Sequence, residues 1–187
     1  PAAAGAGTQA KMIAKNYNLL HLDTGRIYRL IGKMRLKNKK NFKYSIIQNR
    51  INKLRLKDLK NKSLLTDKVA TSASIIAKDK KIRNIFFKFQ KKCAYSPPKK
   101  YEGSVLDGRD ITSVILKDAM FKFFINASIK TRARRRFREF QIIGKKITYK
   151  EVLKSLKKRD KSDRKRKYGP LKKTKDSILI NNEKLGI

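Results

Sequence analysis

The sequence carries one cysteine, Cys93, which excludes an internal disulfide and a thiolate zinc cluster and fits a reducing compartment. No run of about 18 apolar residues occurs, so no membrane-spanning helix is encoded. The start, Pro1-Ala2-Ala3-Ala4-Gly5, lacks the basic flank and long apolar stretch of a secretory signal, and a cytoplasmic location is expected. Acidic residues are scarce: 14 Asp and Glu stand against 51 Lys and Arg, a formal net charge of +37. That surplus attracts polyanions, nucleic acid first, then nucleotides or an acidic membrane surface. Yet the lysines of residues 37–62, 91–100 and 145–175 alternate with Asn and Ile rather than with aromatic stacking platforms. They read as solvated surface, able to bind nucleic acid only non-specifically.

What is present is enough apolar content, 40% of 187 residues, to bury the core of one domain with a small insertion. Residues 1–8 read as a Gly/Ala-rich loop, followed by an amphipathic stretch over residues 8–15 with Met12 and Ile13 inward. Residues 19–22 read as a strand running into the turn Asp23-Thr24-Gly25, and residues 26–35 return to helical spacing. Residues 37–63 are polar and weakly periodic, an insertion without firm secondary structure. Helices are predicted from Asp67 through Ala77 and from Asp79 through Phe89, ending before Ser96-Pro97-Pro98. A strand over residues 104–106 stops at Asp107-Gly108-Arg109-Asp110. Residues 121–125 read as a strand buried on both faces. Ala127-Ser128 caps a basic helix ended by Gly144, and residues 149–159 and 178–180 read as a helix and a last strand. This alternation, without internal repeats, predicts a three-layer α/β fold around a parallel sheet.

Gly5-Ala6-Gly7-Thr8 is the type of segment that cradles phosphate, because glycines let backbone N–H groups approach an anion at a helix N-terminus. Taken alone, such a segment is more often a structural helix start, and Ala6 stands where the phosphate-loop pattern has lysine.

Five further blocks follow in order. They are Leu22-Asp23-Thr24-Gly25 with Ile27-Tyr28-Arg29; Val69-Ala70, Ala73-Ser74 and Ile82-Arg83; Asp107-Gly108-Arg109-Asp110-Ile111 with Asp118-Ala119; Ala127-Ser128 with Arg132-Ala133-Arg134-Arg135-Arg136; and Arg159-Asp160, Asp163, Arg164, Arg166 with Pro170-Leu171. With the loop, this series resembles the bacterial cytidylate kinases, a family of P-loop nucleoside monophosphate kinases, over nearly the whole chain. The resemblance implies a P-loop NTPase-like core over residues 1–36, 67–128 and 167–187, a nucleotide-binding insertion over 37–66 and a helical lid over 129–166. It implies a monomer that uses ATP and Mg²⁺ to phosphorylate CMP or dCMP.

Phosphoryl transfer of this kind asks for positioning and charge neutralisation rather than a strong base, and arginine binds phosphate bidentately while staying charged. By the resemblance, Gly5, Ala6, Gly7, Thr8, Arg132 and Arg136 lie on the ATP side. Arg29, Arg109 and Arg166 hold the CMP phosphate, and Arg159 and Asp163 the ribose. Arg109, Arg159 and Arg166 are the catalytic set. Thr24 and Tyr28 line the monophosphate site. Ser74, Arg83 and Asp110 read cytosine, with Asp110 accepting from its amino group. Asp107 would meet Mg²⁺ through water. Read without the resemblance, Asp23 and Asp163 could cap turns and residues 132–136 could be a solvated helix face. His21 reads as structural and Cys93 as packing.

Three departures from the family pattern put the activity of this polypeptide in question. Ala6 replaces the loop lysine, the sequence begins after the family's first strand, and it stops before the terminal helix. The chain therefore reads as an incomplete copy. The rival expectation is a non-catalytic nucleotide- or RNA-binding basic protein.

Overall fold

Two strand–helix–strand crossovers organise the chain. The computed structural model describes residues 1–40 and 42–184. Its elements are α1 (Ala6–Asn16), β1 (Leu19–Asp23), α2 (Thr24–Lys37), α3 (Tyr44–Asn52), α4 (Asp67–Ile76), α5 (Lys80–Tyr95), β2 (Gly103–Asp107), β3 (Phe123–Asn126), α6 (Ile129–Ile142), α7 (Tyr149–Lys165) and β4 (Ile178–Asn181). Short 3-10 turns cover Leu56–Lys60 and Lys62–Leu65, and a π turn covers Ile111–Ile115. The chain divides into two compact units, Ala10–Gly108 and Pro1–Gln9 with Arg109–Ile187.

In the unit Ala10–Gly108, β1 and β2 pair in parallel from Leu19↔Gly103 to Asp23↔Asp107. Alternation along β1 sends Leu20 and Leu22 inward. Ile27 and Ile31, four residues apart on α2, belong to one core cluster with Phe86 of α5, all fully buried. Burying such side chains contributes about 1.5–3 kcal/mol each. Side-chain caps fix two helix starts: Thr66 Oγ1 accepts from the Val69 N–H of α4, and Asp79 Oδ1 from the Ile82 N–H of α5 at 3.1 Å. Ser96-Pro97-Pro98 ends α5 as predicted. Cys93 packs in this core, and burial pushes its thiol up to about 11, which keeps it protonated and inert.

At Gly32 the backbone of α2 lies close against that of α4. A Cβ placed there would lie 2.8 Å from the Ala73 backbone N and 3.2 Å from the Val69 carbonyl. Backbone cannot yield as a flexible side chain can. Gly32→Ala is therefore expected to destabilise by about 1–3 kcal/mol, although alanine gains about 1 kcal/mol of helix propensity. Urea denaturation would measure it.

In the other unit, β3 and β4 pair in parallel from Phe123↔Ile178 to Asn126↔Asn181. Ser128 Oγ caps α6, Gly144 takes φ +68° just past its end, and a Thr148/Glu151 capping box opens α7. Ala133 and Phe140 of α6 pack on Val152 and Leu156 of α7, together with Ala2.

Several expectations are corrected. Helix α1 starts at Ala6 and buries Ala10 and Ala14, whereas Met12 is 39% exposed. The insertion carries secondary structure in its described residues: α3, the 3-10 turns and the link between them bring Ile47, Ile51, Leu54 and Leu59 into the core. Strand β3 begins only at Phe123, Phe121 is 70% exposed and no residue of the strand is fully buried. The hydrophobic run marks a strand, yet its ladder has a single neighbour and β4 is equally open. Helix α7 extends to Lys165, which places Asp160 and Asp163 on its buried face. The strands are parallel as predicted, but among the described residues they form two pairs rather than one ladder.

Candidate functional site

The Gly/Ala-rich loop is tied down by its backbone. Ala2 donates its N–H to Asp160 Oδ1 at 3.3 Å, and its carbonyl accepts from Arg132 Nη1 at 3.1 Å. The Ala4 carbonyl accepts from Asn182 Nδ2 at 2.8 Å. Between them Ala3 adopts φ +58°, a left-handed backbone that costs an L-residue about 1–2 kcal/mol. Gly5 follows at φ +95°, where a Cβ would lie 2.2 Å from Asn182 Nδ2. Only glycine fits there. Helix α1 then starts at Ala6, so the amides of its first turn have no partner within the helix and offer an anion both donors and a favourable dipole.

Downstream in the same unit, Asp163 of α7 collects three arginines. Arg109 donates from Nε at 2.8 Å, Arg166 approaches with Nη1 at 3.8 Å and Arg159 with Nε at 4.0 Å. Arg166 also reaches Asp110 at 3.7 Å and donates from Nε to the Gly169 carbonyl at 2.6 Å. Asp110 and Asp163 are 4% and 5% exposed. Asp163 is therefore a counter-ion rather than a turn cap. All five sequence-predicted residues of this set, Arg109, Asp110, Arg159, Asp163 and Arg166, come together. Arg136 lies over the Phe140 ring at 4.3 Å and pairs with Glu139 at 2.6 Å. Arg132 is buried, not on a solvated face, and donates from Nε to the Ala127 carbonyl at 2.9 Å.

The unit Ala10–Gly108 holds the remaining predicted residues. Thr24, first in α2, donates its hydroxyl to the Asp107 carbonyl at 2.8 Å, which the adjacent ends of β1 and β2 make possible. Tyr28 packs edge-on against Phe86 at 4.8 Å, with the Arg83 guanidinium 5.7 Å from its ring. Arg83 also donates to the Ala77 carbonyl, and Arg29 to the Leu64 carbonyl at 2.9 Å. Ser74 is half-buried on α4. His21 Nε2 lies 2.6 Å from Asp107 Oδ2 and so orients that carboxylate, a positional role as expected. Burial, and then the Asp107 charge, push Asp23 above the usual carboxylate range.

The residues that sequence reasoning missed are Asp160, Asn182 and Glu183. Asp160 stands inside a quoted motif, but only its place on α7 reveals its partner. Asn182 and Glu183 follow a short strand and carry no local signal. Glu183 accepts from the Ser128 N–H at 2.6 Å and the Ser128 hydroxyl at 2.7 Å, and from the Thr131 hydroxyl. These bonds hold its carboxyl down at about 2, against an ordinary 4.5. A lowered folded-state value means stability that is present above pH 4.5 and lost as pH falls toward 2. The stability difference between wild type and Glu183→Gln is expected to be constant above that range and to shrink below it, as acid titrations of both proteins would show.

The family described as cytidylate kinase matches residues 1–187. A cytidylate kinase of Azorhizobium caulinodans is 38% identical over 187 residues, covering 100% of this chain and 89% of its own length. Those of Rhodopseudomonas palustris and Clostridium botulinum are 37% and 35% identical, again across 100% of this chain and 87% and 89% of theirs. With a phosphate-type loop, an arginine–carboxylate cluster and a family match over residues 1–187, the chain belongs to the cytidylate kinase family.

Proposed function

We propose that this chain transfers the γ-phosphoryl group of ATP to CMP or dCMP. The observation that carries the proposal is the cluster in which the buried Asp163 meets Arg109, Arg159 and Arg166, with the buried Asp110 against Arg166. Guanidinium groups prearranged by fixed carboxylates stabilise a phosphoryl group whose charge spreads over its oxygens in the transition state. Arg109 meets Asp163 through Nε, so its Nη edge is the one a phosphate would take. Arg29, Arg109 and Arg166 are assigned to the CMP phosphate, Arg159 and Asp163 to the ribose. The loop of residues 5–8 and Arg136 are assigned to ATP. Thr24 and Tyr28 frame the monophosphate site. The α6–α7 hairpin, residues 129–166, serves as the lid that excludes water, around a core of 1–36, 67–128 and 167–187 with the insertion 37–66. Family membership favours this reading over a non-catalytic RNA-binding protein, and a monomer suffices for it.

Among the described residues no group of three or more His, Cys, Asp or Glu could cage a metal. Magnesium fits all the same, because it keeps most of its waters and is held by substrate phosphates with one or two carboxylates. Asp107, oriented by His21, is the carboxylate proposed to meet such a hydrated ion, whose chemistry would be to neutralise phosphate charge.

A coupled assay with CMP, dCMP, UMP and AMP tests the proposal. Phosphorylation of the cytidine nucleotides ahead of the others is expected, and no preference among the four contradicts it. Asp110→Ala is expected to cost about 1–3 kcal/mol of CMP-over-UMP discrimination, because a carboxylate accepts from cytosine's amino group and repels uracil's carbonyl. Equal losses toward CMP and ATP in binding titrations would remove Asp110 from base reading.

A further inference from the structure

We infer that Arg132 and Asp160 are positioning residues that hold the phosphate loop in its anion-receiving conformation, rather than ligands of the nucleotide. The inference rests on reading residues 1–8 as the loop that receives ATP phosphates.

The Arg132 guanidinium is committed inside the protein. Its Nε is on the Ala127 carbonyl, and its Nη1 serves both the Ala2 carbonyl and Asp160 Oδ2, the latter at 2.6 Å. The other oxygen of Asp160 accepts the Ala2 N–H. Both polar groups of a single loop residue thus end on one buried ion pair, whose members are 4% and 9% exposed. Two residues on, Asn182 takes the Ala4 carbonyl. Ala3, held between these anchors, has a left-handed backbone that alanine does not choose by itself. Such a conformation persists only where its surroundings over-determine it. Here the ion pair fixes the Ala2–Ala3 peptide, and Asn182 fixes the Ala4–Gly5 peptide one residue further on. If the Ala2 anchor is lost, Ala3 can return to negative φ. That rotation swings the amides leading into Gly5 and the first turn of α1 away from the anion.

The same device ties the loop to the arginine cluster. Asp160 and Asp163 stand about one turn apart on the buried face of α7. The first holds the loop through Arg132 and the second holds Arg109. A shift of α7 would therefore move the donor loop and the proposed CMP-phosphate arginine together.

The test separates ATP from CMP. Arg132→Met combined with Asp160→Leu removes the clamp without stranding a buried charge, and Asp160→Asn alone weakens it. Calorimetric titrations of wild type and variants with ATP and with CMP are read beside hydrogen exchange of the amides of residues 2–8. The double variant is expected to lose ATP affinity by about tenfold or more, to keep its CMP affinity, and to exchange the loop amides faster. Unchanged ATP affinity, or equal loss for both nucleotides, overturns the inference. Should the double variant fail to fold, Asp160→Asn decides, with and without Ala3→Gly. Glycine accepts φ +58° without strain, so it is expected to restore part of the lost ATP affinity; no restoration overturns the clamp. If wild type binds neither nucleotide, the kinase reading fails, and the loop exchange rates alone still decide whether the ion pair holds the loop.

Discussion

Replacing Ala6 with lysine is expected to raise the rate of CMP phosphorylation by on the order of 10²–10³, the effect of restoring one preorganised donor at a developing charge. Ala6 is the first residue of α1, directly after the left-handed Gly5. Side chains on a helix lean toward its N-terminus, so a lysine there would reach back over the loop. A cation at a helix N-terminus opposes the helix dipole by about 0.3–1 kcal/mol. This is small beside the roughly 2.7–4 kcal/mol that such a donor contributes in the transition state. The gain should fall on kcat and kcat/KM together, with KM for CMP unchanged, because the added charge acts only on the group in flight. Steady-state kinetics on the two proteins would show it. Equal kcat values would mean that another cation already fills the place, or that the loop does not receive the γ-phosphate.

The largest expected loss of stability comes from Phe86→Ala. Phe86 is fully buried, and its ring meets Tyr28 edge-on. Truncation leaves a cavity that costs about 3–5 kcal/mol, including the 0.5–1.5 kcal/mol of the aromatic pair. Against a typical total of about 5–15 kcal/mol this is a large fraction. Tyr28 would lose the surface that sets its ring, and the Arg83 guanidinium that lies over that ring would lose its platform. CMP affinity is therefore expected to fall along with the denaturation midpoint. Phe86→Leu, which refills much of the volume, should recover most of both. A Phe86→Ala protein as stable as wild type would show that the core can collapse around the gap.

The elements most legible in the sequence were those with local chemistry at both ends. Asp79 before the apolar run of α5, with Pro97-Pro98 after it, bounds that helix because a cap and a breaker act over three or four residues. Ser128 and Gly144 bracket α6 in the same way. The parallel pairing of β1 with β2 followed from the helices between them. The weakly periodic insertion was not legible. Its Ile47 and Ile51 become core only against surfaces that other segments supply.

At the candidate site, it was the resemblance to the cytidylate kinases that picked out Arg109, Asp110, Arg159, Asp163 and Arg166; read without it, Asp163 could have been a turn cap. Their pairing was beyond it, as was the burial of Arg132. Arg132 and Asp160 lie 28 positions apart, and Asp160 and Ala2 lie 158 apart. No helical or strand period connects such positions. Residue order thus supplied the resemblance to the family, the expectation of parallel strands joined through helices, and the charged residues that stand in compact motifs. Only the tertiary structure decided that Arg132 is spent on Ala127, Ala2 and Asp160 while Arg109, Arg159 and Arg166 gather on Asp163. That choice depends on desolvation and on which carboxylate lies within hydrogen-bonding reach, and both are fixed by the packing of distant segments.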